Sequence, residues 1–432
     1  MLMLSDKEMQ KRLFVGNYEQ WANLINKRFL SDRNLQINEI NNGIILPAKW
    51  VEEPVYKGGV FDSEKNFVAG FFRKNPPKNS LFGVCGDYEV NEISQSDEEV
   101  IFGGVLIGFF GHFILECLGR MWYILKNRED QRKIVFLLVR EECEWFYQFF
   151  DLLDIDRERI IILKNPTQFK KVIVPDESIH SWYDYTKEYL MPYDYIRNKV
   201  SKSDVKKLYL TRSKLTLTGR SNDEFPGKYI CNEQYFENFY LSKGYKVVSP
   251  EDFSIKEQMS MIAGADEIAT TLGSLSHFAL FCKSGAKFTI LTRVDNDTLY
   301  PQCLINEARN IDWCIVDASL NFLPIQERGG GVSLLGETKY WKQFVKEKYN
   351  EVINTETWKD KLDEYIDKWC YFYSFDGSKQ LINSVVRRTY ELTKINVMPP
   401  ETLLKALLQR IDLLESQLKL LSSKKTVSKK KK

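Results

Sequence analysis

Between Val100 and Leu115 nearly every position is apolar, and only Gly103, Gly104, Gly108, Gly111 and His112 interrupt the run. A membrane span needs about twenty such residues and tolerates polar groups poorly. The pattern therefore predicts a buried strand over 101–107, a glycine turn, and a helix running on to Trp122. Beyond residue 130 short apolar runs alternate with amphipathic stretches. The runs 133–139, 160–163 and 172–174 read as strands buried on both faces, and 142–153 reads as a helix. The polar and aromatic stretch 181–204 shows no periodicity and reads as a connection between domains. The rhythm restarts with strands at 207–212, 245–248, 267–271, 287–291 and 313–316. Helices fill 232–243, ending at the left-handed cap Gly244, and 254–263, opened by Ser254-x-x-Glu257. A further helix follows Gly273-Ser274 and stops at Gly285. Alternating βα units predict an α/β protein with parallel sheets covered by helices.

Gly329-Gly330-Gly331 marks a break. After it come Trp341, Phe344, Trp358, Tyr365, Trp369, Tyr371 and Tyr373. Such aromatics could stack on sugar rings, but at helical spacing they read first as core. Pro399-Pro400 opens a last helix. Leu404, Leu407, Ile411, Leu414, Leu418 and Leu421 form a coiled-coil seam of about three heptads. The expected domains are 1–185, 186–328, a helical aromatic-rich region 329–398, and a helix with a basic tail over 399–432.

Composition narrows the class. The net charge is +2, and six lysines lie among the last nine residues, so the body is slightly acidic and does not read as a nucleic-acid binder. The eight cysteines stand singly, without zinc spacing, and several lie in apolar runs. They read as core thiols of a reducing compartment. The first residues lack the apolar segment of a secretion signal. A cytoplasmic protein is expected, with no metal site.

His112, Glu116 and Arg120 recur at steps of four among Phe, Ile, Leu, Met and Trp. On one helix they would form a single polar stripe. Burying an acid and a base in this way costs several kcal/mol unless they pair or face a wet cleft. The stripe is either a self-satisfied structural network or a catalytic one.

Several segments occur together in order. They are Tyr56-Lys57-Gly58-Gly59-Val60-Phe61-Asp62; Gly111-His112-Phe113 with Glu116, Arg120 and Trp122; Tyr209-Leu210-Thr211-Arg212-Ser213; Pro250-Glu251 with Ser254, Glu257 and Gln258; and Gly273-Ser274 with His277. This series, over about residues 55–295, resembles the bacterial branch of glycosyltransferase family 61, found in capsular and surface polysaccharide biosynthesis. The resemblance implies a GT-B-like α/β fold, with two Rossmann-like domains facing a cleft and here a C-terminal helical extension. It implies inverting transfer from a nucleotide sugar without a metal. Relatives often carry Asn after the last histidine, where this chain has Phe278.

Sugar transfer must take a proton from the acceptor hydroxyl and stabilise a leaving diphosphate. His112 or Glu116 is suited to the first task, with Arg120 orienting the carboxylate. For the donor, Gly273 and Ser274 follow a strand, where ligands bind in open α/β sheets. Arg212, Lys214 and Arg220 can clamp phosphates, and His277 can donate to one. Glu257 suits a ribose diol or, equally by its spacing, a capping box. The expected function is an inverting, metal-independent glycosyltransferase that extends a surface polysaccharide or lipid-linked glycan. The alternative is a non-catalytic nucleotide- or carbohydrate-binding scaffold subunit. The seam 403–421 should pair with a second copy, giving a homo-oligomer, or dock on the chain's own body, and the lysine tail either attaches to the anionic inner face of a membrane or serves only to solubilise.

Overall fold

The apolar run that starts at Val100 forms the carboxyl half of a long strand, Ser94–Ile107. It lies in a computed structural model that describes residues 5–16, 18–52, 55–75, 80–180, 183–214, 228–293, 299–321, 323 and 331–374. The chain divides into two units. Through their described residues, the first takes Met1–Leu210, Gly244–Ile290 and Asp297–Ile315, and the second Thr211–Lys243, Leu291–Asn296 and Val316–Lys432.

In the first unit Ser94–Ile107 lies between Lys133–Val139 and Thr167–Pro175, parallel to both, and Ile160–Ile162 continues the parallel part. These strands are the apolar runs of the sequence, and Ile134, Val135, Phe136 and Leu137 are fully buried. A bulge falls at Gly103-Gly104, where the register shifts between Phe102 and Gly104. A Cβ on Gly103 would lie 2.4 Å from the Phe136 ring, so only glycine fits there. The other half of this ten-stranded sheet is largely antiparallel and was not anticipated. Thr167–Pro175 runs against Ile37–Asn41 and Ile44–Glu52, which in turn pairs with Val55–Phe61. The reason is connection length. Among the described residues no helix lies between 37 and 75, and short connections join antiparallel neighbours.

A six-stranded sheet has the order Leu13–Phe14, Asp312–Asp317, Lys287–Thr292, Glu267–Thr271, Lys207–Leu210, Lys246–Val248. Lys207–Leu210 is parallel to both Lys246–Val248 and Glu267–Thr271. Each of the five later strands falls within two residues of its expected span. Gly244 and Gly285 have φ of +78° and +77°, the left-handed ends that glycine permits.

Three expectations are corrected. The stretch 181–204 is not a bare connection. It holds the end of a short hairpin, a turn at Lys187–Leu190 and the helix Met191–Lys199. Tyr189, Tyr193, Ile196 and Val200 are buried at steps of four, three and four, a helical stripe hidden by its polar neighbours. The helix from 109 to 122 is broken into Phe110–His112, a π-helical turn Phe113–Cys117 and Met121–Lys126. The helix after Gly273-Ser274 is only the six-residue 3₁₀ turn Ser276–Phe281.

The second unit pairs Lys228–Cys231 with Gly331–Leu334 in parallel. Its helices include Glu233–Ser242, Lys339–Tyr349 and Leu362–Ser374. Trp341 is fully buried, with its ring centroid 4.8 Å from those of Phe236 and Phe239 and 5.4 Å from that of Phe344. Tyr365 and Trp369 fill a second cluster with Val332 and Leu334. These aromatics are core, whereas Tyr371 is exposed. The seam 403–421, the lysine tail and Arg220 lie outside the described residues. Among the described residues no helix is long and apolar enough to cross a membrane, and no three His, Cys, Asp or Glu side chains are grouped to hold a metal.

Candidate functional site

Ile107 and Val139 pair at the carboxyl ends of adjacent parallel strands, so the chain leaves the sheet there along two neighbouring paths. One path is the turn that carries His112 and Glu116. A π-helical turn holds one more residue than an α turn and is frequent at functional sites. His112 Nδ1 lies 3.3 Å from Glu116 Oε2. The imidazole is 37% exposed and the carboxylate side chain 0%. A buried carboxylate beside Nδ1 favours the tautomer with its proton on Nδ1, leaving Nε2 basic.

The π turn displaces backbone hydrogen bonds, and buried tyrosines take up the carbonyls. Tyr189 Oη donates to Leu115 O at 2.9 Å and Tyr193 Oη to Ile114 O at 2.6 Å. Burial raises both phenols, so they remain donors. Ser178 N–H and Oγ–H donate to Gly119 O. The segment read as a connection thus supports the turn.

Arg120 does not continue a single stripe, because the helix is interrupted before it. Its guanidinium donates to Pro175 O, to Gly70 O at 3.1 Å and to Glu177 Oε1 at 3.2 Å, and lies over the Phe102 ring. Desolvation raises the Glu177 carboxyl, Arg120 opposes this, and the charge of Glu116 adds to it.

Two segments distant in sequence meet at the same turn. A Cβ on Gly111 would lie 2.6 Å from Ser274 Oγ, and His277 Nδ1 sits 3.2 Å from Gly111 O. Since a carbonyl only accepts, His277 Nδ1 carries hydrogen in that contact. Gly273 has φ +137°, which glycine adopts readily. Its N–H donates to Ser276 Oγ, so this amide is satisfied within the loop. His112, Gly273, Ser274 and His277 are all half-buried. Four of the expected residues, each half-buried, therefore lie at or next to the contact between these segments at Gly111. Phe278 is buried, edge-on to Phe110 at 5.5 Å, and belongs to the core beneath them.

The remaining donor candidates are placed separately. In the second unit Arg212 is buried and its backbone N–H donates to Glu233 Oε1 at 3.0 Å. Thr211 Oγ1 and Ser213 Oγ donate to Glu237, bracing the backbone on either side. Lys214 is exposed. Glu257, in the first unit, is exposed and closes a capping box. Ser254 N–H and Oγ–H donate to its carboxylate at 2.8 and 2.7 Å, and these bonds lower its pKa.

Sequence reasoning missed Arg293 and Glu233. Arg293 is 4% exposed, and burial, with Arg212 adding, lowers it to about 9. Glu233 is 2% exposed, and burial raises it to about 7 despite the nearby arginine. Two buried guanidinium groups thus lie near the buried carboxyl of Glu233, with Glu237 beside it. Paired guanidinium groups suit an oligophosphate. A signal was present: Leu210-Thr211-Arg212 and Leu291-Thr292-Arg293 repeat one tripeptide, each at the carboxyl end of a strand.

One family model matches part of the chain. Residues 110–289 match the model described as Glycosyltransferase 61. The matched stretch, less than half of the chain, carries His112, Glu116, Arg212, Gly273, Ser274 and His277. The match supports a nucleotide-sugar-dependent glycosyltransferase. No curated protein matches the chain.

Proposed function

We propose that the protein is an inverting glycosyltransferase in which His112 is the general base and Glu116 its orienting carboxylate. The observation that carries this reading is the contrast in exposure within the pair, 37% against 0%. Only the imidazole is open to an incoming hydroxyl. His112 Nε2 takes the proton as the acceptor oxygen bonds to the anomeric carbon, and the bond from that carbon to the diphosphate oxygen breaks. The buried Glu116 charge stabilises the resulting imidazolium. A scaffold that only binds sugar has no use for such a pair.

Gly273, Ser274 and His277 are assigned to the donor, and within the second unit Arg212, Lys214 and Arg293 are assigned a phosphate-binding role of their own, in which fixed cations offset negative charge. In this reading the two sheets are the halves of a GT-B type enzyme, and no metal takes part. Glu257 keeps its capping role, and any contact with ribose is additional. The acceptor is a growing surface polysaccharide or lipid-linked glycan at the inner face of the membrane. The 403–421 seam pairs with a second copy, and the lysine tail binds anionic lipid.

The test has two stages. A thermal-shift screen with nucleoside diphosphates and nucleotide sugars identifies the donor, because a ligand that binds only the folded state raises its apparent stability. Transfer is then compared in wild type, His112→Ala and Glu116→Gln. Loss of transfer with donor binding retained supports the reading, and unchanged turnover in both variants refutes it. Deleting residues 400–432 should lower the oligomeric mass and abolish salt-sensitive flotation with anionic vesicles. Unchanged mass and flotation would remove the C-terminal assignment.

A further inference from the structure

The second path off the sheet, beside the His112 turn, begins at Arg140. Because Ile107 pairs with Val139, Arg140 is the neighbour of Gly108 at the carboxyl end of the parallel strands. Ligands bind at this edge in open α/β sheets. Arg140 has φ +72°, a left-handed conformation that a side chain other than glycine adopts only at a cost. The backbone after it is packed closely, since a Cβ on Gly108 would lie 2.7 Å from Glu141 O. The strained backbone holds an exposed guanidinium over the Phe109 ring, 4.0 Å from its centroid. The same ring contacts His112 edge-on, with centroids 5.9 Å apart. Phe109 thus touches both the cation and the imidazole. Among the described residues Arg140 forms no ion pair or side-chain hydrogen bond, so its five N–H donors stay available.

We infer that Arg140 is a specificity residue that recognises an anionic group, a phosphate or a carboxylate, on the sugar acceptor presented to His112. This rests on the proposed role of His112 and extends it. The stacked, planar guanidinium is pre-oriented for bidentate contact with an oxyanion, which an ammonium does not reproduce. The acceptor is favoured over the donor as the source because Arg140 leaves the same sheet edge as the proposed base.

The experiment uses the full chain and three probes: N-acetylglucosamine 1-phosphate and methyl glucuronide as acceptor anions, with methyl glucoside as the neutral control. Inorganic pyrophosphate serves as the donor arm. Affinities are measured by titration calorimetry or ligand-observed NMR for wild type, Arg140→Ala, Arg140→Lys and His112→Ala. The expected result is that an anionic acceptor probe binds wild type at least about tenfold more tightly than methyl glucoside, and that Arg140→Ala erases this preference. Arg140→Lys should recover only part of it, and pyrophosphate affinity should not change. Equal affinity of all three sugar probes for wild type overturns the inference, as does a preference that survives Arg140→Ala. A loss confined to pyrophosphate assigns Arg140 to the donor and also overturns it. These binding measurements stand apart from turnover, so inactivity of His112→Ala with an intact anion preference separates the two proposals. A matching melting temperature shows that each variant is folded.

Discussion

The His112–Glu116 pair and the Arg212–Arg293–Glu233 cluster solve opposite problems. In the first unit one partner is buried and the other reaches the surface, so the buried charge tunes a group that can still exchange a proton. In the second unit both arginines and Glu233 are buried, and the environment pushes Arg293 down and Glu233 up. A proton carrier needs access. In the proposed roles a phosphate clamp needs charge held in place by a braced backbone, and Glu233 and Glu237 brace it through the amide of Arg212 and the hydroxyls of its neighbours. Burial is therefore no measure of functional importance here, and the division of burial within each group is more informative.

The largest expected effect breaks the first half of the contrast. His112→Ala should lower transfer roughly 10³-fold, within the range for loss of a general base, while nucleoside diphosphate affinity measured by calorimetry stays within twofold. Next is the second unit's pH dependence. Below its ordinary 4.5 Glu233 is protonated in both folded and unfolded chains, and between 4.5 and about 7 only the folded chain keeps the proton. Stability should therefore fall across that window, by on the order of 3 kcal/mol in total. Glu233→Gln should abolish that fall in melting curves from pH 4.5 to 7.5. A parallel pH profile in the variant would show that Glu233 ionises normally. Third, Arg212→Ala and Arg293→Ala should each weaken nucleoside diphosphate binding about tenfold without loss of fold. If only Arg212 matters, the repeated tripeptide is not a functional pair. The smallest effect sharpens the first half. Tyr193→Phe leaves the Ile114 carbonyl without its donor and should cost about 1 kcal/mol of stability in denaturant titration, with a drop in turnover only if the π turn relaxes.

The parallel strands were most legible where apolar residues run unbroken between charges, as at 134–139 and 160–163. The antiparallel strands between 37 and 84 were less legible, since several, such as Ile37–Asn41 and Phe67–Ala69, are largely exposed or half-buried and carry no sustained apolar run. For the site, the residue types at 112, 116, 273, 274 and 277 were legible, and so was their link to the family. What was hidden is the backbone between them. A spacing of four fits both an α and a π turn, so sequence could not show that the helix breaks before Arg120. Tyr189 and Tyr193 were masked by Lys187, Glu188 and Asp194, and their role depends on carbonyls that no side-chain pattern encodes. Arg293 was missed because one arginine after a strand carries little signal until its twin is noticed.

The missing side chain at Gly111 also constrains how this sequence can change over time. A Cβ there would lie 2.6 Å from Ser274 Oγ and 3.0 Å from Ser274 Cβ, so removing only the hydroxyl still leaves a tight contact. Contacts this short demand movement of one loop against the other. Substitutions at the two positions are therefore coupled: alanine at Gly111 fits with least displacement once position 274 is glycine, although its Cβ would still lie 3.3 Å from the Cα there. A lineage that took that route would exchange which of the two loops carries the side chain. It would also lose the Ser274 hydroxyl, so drift at a position with no chemistry of its own is tied to the role proposed for its neighbour.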